Sequence, residues 1–164
     1  MNWDNLEQKT RDLLILEKRD LKNLEKVESA LNANINYWLG KNKLIKLKNG
    51  AYLIRDKWDK ENNKDEYLEY IANQLISPSY VSLEYVLAKF QILTDAQMVV
   101  TSVTTKSGRR FANKIGVFGY YSISEKLLTG YETKKFKNAY INIASKEKAL
   151  FDYLYFYFLE KEPN

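Results

Sequence analysis

The stretch from Val27 to Ile54 changes its hydrophobic period partway, which predicts a helix followed by two strands. Apolar residues recur at helical spacing from Val27 to about Leu39, and the opposite face is polar. The spacing becomes two over Leu44 to Lys48, and Asn49-Gly50 follows. Asn-Gly between short strands predicts a hairpin with a type I′ turn, whose two central residues both need positive φ. A helix joined to a basic hairpin is the outline of a winged helix-turn-helix; the alternative is a small scaffold with a solvated lysine face.

Two further helices are predicted before this stretch. Residues 2–16 place Trp3 and several leucines loosely on one face, with Asp4 near the start, where an acid favours the helix dipole. Residues 19–25 continue with Leu21 and Leu24 inward. Three helices and a hairpin match the tri-helical arrangement with a wing, in which the third helix presents its polar face to the major groove. We therefore predict a winged helix-turn-helix domain over residues 1–55.

The polar face of the third helix and the lysines after it are the candidate DNA-binding residues. Asparagine can pair bidentately with adenine, and lysines contact phosphate. Because residues two apart on a helix do not share a face, Asn32 and Asn36 rank above Asn34. The full candidate set is Ser29, Asn32, Asn34, Asn36, Tyr37, Lys41, Lys43, Lys46, Lys48 and Asn49.

A second domain is predicted after a charged segment. Residues 56–65 are polar and highly charged, which predicts a linker, with Trp58 docking onto one of the two domains. Residues 66–164 then mix helical and strand patterns, so the predicted fold class is α+β, with a mixed α/β C-terminal domain. One helix is expected to end before Ser77-Pro78, because proline disfavours the helical region for the preceding residue. Ser82 is expected to cap the next, which runs to about Phe90.

The rest of the second domain is predicted to be strands and one long helix. Residues 98–105 are rich in β-branched side chains, residues 110–123 are strand-like but broken by Gly116 and Gly119, and residues 139–143 form another short strand. Ser145 is expected to cap a last helix that runs to Leu159. This helix is apolar nearly all round, which predicts burial on more than one side, in the core or partly against a partner.

The composition restricts the chemistry. The 164 residues include no Cys and no His, which removes most zinc sites, Cys or His nucleophiles and the usual neutral-pH general base. We therefore expect no metal and no cofactor. No apolar run approaches the roughly 18 residues of a membrane span, so we expect a soluble, cytoplasmic protein that does not act at a membrane.

The charge is informative through its placement. The formal net charge is +5, from 26 basic and 21 acidic residues. Clusters of one sign interleaved with Tyr and Asn suit a polyanion, because neutralising phosphates releases counterions. The alternative is that lysines keep a tyrosine-rich surface soluble. Outside the hairpin, one such cluster comprises Lys106, Arg109, Arg110 and Lys114, and another comprises Lys134, Lys135 and Lys137.

Four stretches of the chain resemble the AbiEi-type antitoxins, the DNA-binding regulators of type IV toxin-antitoxin operons involved in abortive infection and phage defence. The most specific of their motifs is an Ala followed closely by Glu-Lys-Ala-Leu and Asp, here Ala144, Glu147 to Leu150 and Asp152. The wing alone is weak, since many winged helices have one. The four resembling stretches are Lys48 to Ile54, Ser77 to Leu93, Val99 to Phe111 and Asn142 to Phe156.

The resemblance implies an N-terminal winged helix that binds inverted repeats in its own promoter and represses it. It also implies a C-terminal α/β antitoxin domain that counters a nucleotidyltransferase-like toxin encoded beside it. The basic C-terminal surface of such antitoxins would correspond here to Lys106, Arg109, Arg110 and Lys114. The alternative is a stand-alone winged-helix regulator whose second domain senses a ligand or dimerises.

The alternative functional class is an enzyme, and a nuclease is the kind of enzyme that the sequence fits best. Nucleases often hold Mg²⁺ with an acid-x-Lys pair, but two of the three such pairs, at 7–9 and 20–22, lie on predicted helices whose charged face is ordinary. The third, Glu132-Thr133-Lys134, has no acid that we can place beside it. Ser145 and Lys148 match Ser-x-x-Lys, yet the accompanying motifs are missing and the serine is explained as a helix cap. We therefore expect a protein that is not an enzyme.

Overall fold

The chain folds into two units, each with its own β-sheet. The computed structural model describes residues 1–94 and 98–160, and its contacts divide the chain into Met1–Lys64 and Asp65–Asn164. Over the described residues there are seven α-helices, a short 3₁₀ helix and nine strands in two sheets. The predicted mixed α+β class is therefore confirmed.

The first unit contains short helices and a three-stranded antiparallel sheet of strand order β1-β3-β2. Its elements are α1 (Trp3–Lys9), β1 (Leu16–Glu17), α2 (Lys18–Lys22), α3 (Glu28–Gly40), β2 (Leu44–Lys48), β3 (Ala51–Ile54) and α4 (Arg55–Asp59).

Helix α1 is shorter than the 2–16 predicted from the sequence. It ends at Lys9, and Leu16 lies instead in β1, paired with Tyr52. The ammonium of Lys57 donates hydrogen bonds to the carbonyls of Thr10, Arg11 and Leu13 at 2.8, 3.0 and 2.7 Å. In a longer helix, these carbonyls would accept hydrogen bonds from backbone N–H groups instead. A lysine 44 or more residues away along the chain therefore holds the loop that follows α1.

The core of the first unit confirms the helical spacing predicted for α3. Leu31, Ile35 and Trp38 are buried, and the Trp38 ring meets the Trp3 ring edge-on at 5.3 Å. Val27 was predicted on this apolar face, but it precedes the helix as its N-cap and is 58% exposed. The helix thus buries one stripe and leaves its other side to solvent.

The predicted hairpin is present, but its turn differs from type I′. Strands β2 and β3 pair antiparallel, with a register shift between Lys46 and Lys48. Gly50 has a φ of +79°, whereas Asn49 is not among the residues with positive φ. The register shift explains why only Gly50 has a positive φ, since a turn with an adjacent bulge requires a positive φ at one residue only.

The segment 56–65, predicted to be a linker, contains most of α4 and the start of α5 (Lys64–Leu75). Lys57 ties α4 to the loop after α1, as described above. Lys64 Nζ donates to the carbonyls of Trp58 and Glu61 at 3.0 and 2.9 Å and lies 5.2 Å from the Trp58 ring. The segment up to Lys64 therefore belongs to the first unit.

The second unit is built on a six-stranded mixed sheet with strand order β6-β7-β5-β4-β9-β8. The β4/β9 and β5/β7 pairs are parallel, and the β4/β5, β6/β7 and β8/β9 pairs are antiparallel. After α5, its elements are β4 (Ser79–Val81), α6 (Leu83–Lys89), β5 (Val99–Thr104), β6 (Arg109–Asn113), β7 (Gly116–Ser122), a 3₁₀ helix (Glu125–Leu127), β8 (Tyr131–Phe136), β9 (Ala139–Ala144) and α7 (Lys146–Leu159).

Consecutive residues of β7 point to opposite faces of this sheet and contact different helices. The Tyr120 hydroxyl donates to the carbonyl of Ala72 in α5 at 2.5 Å. The Tyr121 ring lies 5.5 Å from the Phe156 ring of α7. Helices α5 and α7 therefore cover opposite faces of the sheet.

Most predicted elements of this unit are present, and two strands, β4 and β8, were missed. The helix before Ser77, the strand after Met98 and the helix capped by Ser145 agree with the prediction. Gly116 begins β7 after a turn, and Gly119 lies inside it. Strand β8 was not predicted because its charged residues hide its alternation. No helix within the described residues is long and apolar enough to cross a membrane.

Within the described part of the chain, helix α7 is buried on one side only, so the predicted burial of further sides in the core is wrong, while burial against a partner stays a prediction. Ala149 and Asp152 are its only buried residues, so the helix rests on the rest of the unit along one narrow stripe. An apolar helix surface does not by itself create neighbours on every side. Its exposed large apolar residues are 40–62% accessible and comprise Leu150, Phe151, Leu154, Tyr157, Phe158 and Leu159.

Candidate nucleic-acid interface

The exposed side of α3 carries most of the polar residues singled out from the sequence. Asn32 and Asn36 are exposed one helical turn apart, whereas Asn34 is half-buried. Ser29 is exposed as well, and Tyr37 is 60% accessible. The amides of Asn32 and Asn36 thus share one side of the helix, opposite the buried stripe.

The lysines that follow α3 surround the hairpin. Lys41, Lys43 and Lys46 are exposed, and Lys48 is half-buried. Lys41 Nζ lies 5.8 Å from the Tyr37 ring, and Lys43 Nζ lies 4.7 Å from the Trp3 ring. These cation–π contacts hold two ammonium groups beside the surface of the first unit.

Arg55, which was not among the predicted site residues, fixes the turn between α3 and β2. Its backbone N–H donates to the Lys43 carbonyl, and its Nε donates to the Asn42 carbonyl, both at 2.9 Å. Asn42 itself has a φ of +55°. The turn thus has a defined shape that sets where β2 starts relative to the end of α3. An asparagine just after a predicted helix was a sequence signal for this turn, since asparagine tolerates positive φ better than most residues.

The segment from Ser29 to Arg55 contains no acidic residue. Its basic residues are Lys41, Lys43, Lys46, Lys48 and Arg55. The two flanking acids, Glu28 and Asp56, accept hydrogen bonds from Lys18 and Lys60 at 3.0 and 2.7 Å. The bond from Lys18 and the lysine charge lower the pKa of the Glu28 carboxyl. The potential around α3 and the hairpin is therefore positive, and it attracts a polyanion.

The four basic residues predicted to form a C-terminal surface lie in the edge strand β6 or within a few residues of it. Lys106, Arg109, Arg110 and Lys114 are all exposed. Arg109 pairs with Tyr120 and Arg110 with Gly119, so the two arginines point to opposite faces of the sheet. The structure therefore does not gather the four side chains on one face. Charged side chains also protect an edge strand from pairing with another chain.

Lys134, from the third basic cluster, belongs to a buried carboxylate network. It contacts Glu69 at 2.8 Å and Glu66 at 3.2 Å, and fully buried Glu69 also accepts hydrogen bonds from Tyr85 and Lys89. Burial lowers the pKa of Lys134, but the hydrogen bonds and charges of the two carboxylates outweigh it and raise the pKa overall. Lys134 is thus a structural residue, which the sequence did not indicate.

The most specific motif of the family resemblance encloses a second buried carboxylate. Asp152 accepts hydrogen bonds from the hydroxyls of Tyr80 and Ser82 at 2.8 and 2.7 Å, and from Lys148 at 2.8 Å. Burial and the Asp152 charge raise the pKa of Tyr80. The spacing of four between Lys148 and Asp152 on an apolar helix was the sequence signal for this network.

The residues considered for catalysis have structural partners. Ser145 caps α7, since its Oγ accepts the Lys148 N–H at 3.2 Å. Ser82 occupies the N-cap position of α6, as predicted, but its hydroxyl donates to Asp152 instead of capping the helix. Within residues 1–94 and 98–160, no group of three or more acidic side chains is arranged to hold a metal ion.

Comparison with known proteins adds no relative to this description. No model of a protein family matches the chain, and no curated protein matches it.

Proposed function

We propose that this chain is a DNA-binding transcriptional autorepressor whose first unit is a winged helix-turn-helix. The order of α1, β1, α2, α3 and the β2/β3 hairpin, with β1 paired to β3, agrees with that fold. Helix α3 enters the major groove with Asn32 and Asn36, and the hairpin is the wing that contacts phosphate. The observation that carries the proposal is the exposed polar face of α3 beside an acid-free, lysine-bearing hairpin.

We further propose that the chain acts as the antitoxin of a type IV toxin-antitoxin system in the cytoplasm. It binds inverted repeats in its own promoter and counters a nucleotidyltransferase-like toxin encoded beside it. The resemblance of four stretches to AbiEi-type antitoxins supports this role. The exposed apolar surface of α7 favours a second candidate, a stand-alone regulator whose second unit dimerises, because large exposed apolar surfaces mark interaction sites.

The DNA-binding role is tested by replacing two wing lysines. We expect Lys46→Ala with Lys48→Ala to weaken binding to every sequence and to reduce the slope of log K against log salt by about 2, because each phosphate contact contributes about 0.9. Binding is measured by gel shift on the DNA immediately upstream of the gene, over a range of salt concentrations.

The matched control is Lys126→Ala with Lys146→Ala, which removes two exposed charges from the second unit, outside the basic clusters named from the sequence. This control should leave the slope within about half a unit of the wild type. An unchanged slope in the wing variant, or an equal change in the control, would exclude the wing as the phosphate contact.

The antitoxin role is tested separately by co-expression with the neighbouring reading frame from a constitutive promoter. Growth should be restored by the wild-type chain and also by the wing double variant, because repression is bypassed under this promoter. No rescue by the wild type, or the absence of a nucleotidyltransferase-like neighbour, would favour the stand-alone regulator.

A further inference from the structure

A small aromatic cavity in the second unit lies where α6, β7 and α7 meet. Its volume is about 120 Å³. Tyr121 comes from β7, Tyr153 and Phe156 from α7, and Glu84 from the first turn of α6. The centroids of the Tyr121 and Phe156 rings are 5.5 Å apart and the ring planes are inclined by 53°, so the two rings form adjacent walls of the cavity. The proposed DNA-binding role does not use this cavity, and neither does the proposed neutralisation of a toxin.

Glu84 is half-buried and supplies a carboxylate to this cavity. Its Oε2 atom is buried and has no hydrogen-bond partner among the described residues. Buried carboxylate oxygens are almost always hydrogen-bonded, because an unpaired one loses its hydration without compensation. The preceding residue, Leu83, also lines the cavity and has a φ of +63°, a conformation that leucine rarely adopts. The fold therefore places a carboxylate with one unpartnered oxygen at the cavity, next to a strained backbone residue.

The electrostatics of the cavity favour a cation. Glu160 at the end of α7 adds a second carboxylate, and none of the described residues that line the cavity is basic. The faces of the aromatic rings also carry negative potential. Burial and the charges of Glu84 and Glu160 raise the pKa of Tyr121, while Arg110 acts in the opposite direction. Among the described residues, two acids against one nearby arginine leave the surroundings of the rings net negative.

The size and donor set identify the kind of cation. A cavity of about 150 Å³ holds benzene, so the smaller volume here suits a group of about five non-hydrogen atoms. Divalent metal ions need more oxygen ligands than two carboxylates provide, and the described residues contain no metal-binding cluster. Aromatic walls with a carboxylate are instead typical of sites for organic ammonium and guanidinium groups.

We propose that this cavity is a binding site for a small organic cation, an alkylated ammonium or a guanidinium group. The cation lies against the rings of Tyr121 and Phe156 and accepts Glu84 as its counter-ion. The source of such a group is a free small molecule or the side chain of a partner protein.

The test is a titration with tetramethylammonium chloride, followed by two-dimensional NMR of the backbone amides of the full chain. We expect saturable shifts confined to residues 83–85, 119–122 and 153–160. Tert-butanol has a similar shape without the charge, and it should bind at least about tenfold more weakly, since the interaction of a cation with a half-buried carboxylate accounts for that factor. Sodium chloride at equal concentration controls for ionic strength.

Two variants keep the proposal falsifiable. Glu84→Gln preserves the shape of the side chain and should weaken tetramethylammonium binding about tenfold, while Glu132→Gln, an exposed acid that does not line the cavity, should leave it unchanged. The NMR spectrum of each variant shows whether it is folded. Equal binding of tert-butanol, equal binding by Glu84→Gln, or shifts spread over the whole chain would overturn the proposal.

Two further ligands distinguish the sources once the site is established. Tighter binding of spermidine than of a short peptide with one arginine assigns the site to a free cation, and the reverse order assigns it to a side chain of a partner. Absence of binding by all three cations would reject the site.

Discussion

Asn36 is the residue at which the DNA-binding proposal is most specific. Its side chain is exposed on α3, on the same side as Asn32, and the backbone beneath it is held by the buried Ile35 and Trp38. An asparagine held in this way can pair bidentately with adenine in the major groove. Ser29 and Tyr37 are exposed on the same helix and are better suited to phosphate or sugar contacts.

We expect Asn36→Ala to relax discrimination between the preferred site and other sequences. The loss on the preferred site should be about 1 to 3 kcal/mol, because one base contact disappears, while binding to random DNA should change little. Competition gel shifts with specific and random DNA measure both quantities. Equal losses on the two DNAs would reassign Asn36 to the phosphate backbone.

The buried Asp152 predicts a large effect on stability. Asp152→Ala removes the acceptor of the Tyr80 and Ser82 hydroxyls and the counter-ion of Lys148, whose ammonium keeps its hydrogen bond to the Leu127 carbonyl at 3.3 Å. Removing one member of a buried ion pair typically costs about 3 to 5 kcal/mol, and we expect the free energy of unfolding to fall by that amount. Urea denaturation followed by circular dichroism measures the change.

A matched substitution on the same helix separates this effect from a general loss of helix stability. Glu147→Ala removes an exposed acid from the first turn of α7 and should cost less than about 1 kcal/mol, which is the size of its interaction with the helix dipole. Similar losses in the two variants would contradict a special role for the Asp152 network.

The hairpin shows why the element that carries the proposed wing needs a glycine at its turn. Gly50 has a φ of +79°, which is strained for every other residue type, while a side chain there would make only ordinary contact with Lys18 at 3.8 Å. Gly40 ends α3 without positive φ and with open space around it. The two glycines thus differ in backbone conformation and not in crowding.

We expect opposite effects of Gly50→Ala and Gly40→Ala on the free energy of unfolding. Gly50→Ala should destabilise the protein by about 1 to 2 kcal/mol because of its left-handed backbone. Gly40→Ala should stabilise it by about 0.4 to 1 kcal/mol because the unfolded chain loses freedom. Thermal and urea denaturation measure both, and effects of the same sign would contradict this account of the turn.

The two helix starts in the second unit show how similar local sequences acquire different partners. Ser145 and Ser82 both precede a helix with an acid in its first turn. Ser145 caps α7, whereas Ser82 donates to Asp152. The position of a cap is therefore predictable from sequence, but the use of its hydroxyl depends on which polar groups the fold brings nearby.

Across the second unit as a whole, buried tyrosines couple folding to alkaline pH. Burial, together with nearby carboxylates for the first two, raises the pKa of Tyr80, Tyr85 and Tyr120. A tyrosine whose pKa is higher in the folded than in the unfolded state stabilises the fold below its unfolded pKa of about 10. That stabilisation decreases as the pH rises above this value, by about 1.4 kcal/mol per pH unit for each such group.

We expect the second unit to unfold cooperatively above pH about 10, with the buried tyrosines ionising only as it unfolds. Ultraviolet absorbance of tyrosinate and circular dichroism, recorded along one pH series, follow the two events. Tyr120→Phe removes one titrating group and should make the loss of stability with pH less steep. Ionisation of all tyrosines near pH 10 without loss of structure would contradict the prediction.

Local periodicity was enough to locate α3, the hairpin, α5, β5, β9 and α7, because each has a strong pattern within a short segment. The polar side of α3 and its lysines could also be chosen from sequence, since the buried stripe leaves only one side free. Strand β8 was missed because Glu132, Lys134 and Lys135 mask its alternation, and Lys134 is an ion-pair partner of residues far away along the chain.

The remaining features depend on contacts between distant residues. Lys57 ends the first helix region by binding carbonyls that precede it by more than forty residues, and Asp152 receives donors from β4 and the start of α6. Helix α7 is apolar on nearly every side, so its hydrophobic pattern could not indicate which stripe would meet the sheet. Only the tertiary structure decided that Ala149 and Asp152 face inward. Burial depends on which elements pack against a helix, whereas hydrophobic periodicity depends only on the residues of the helix itself.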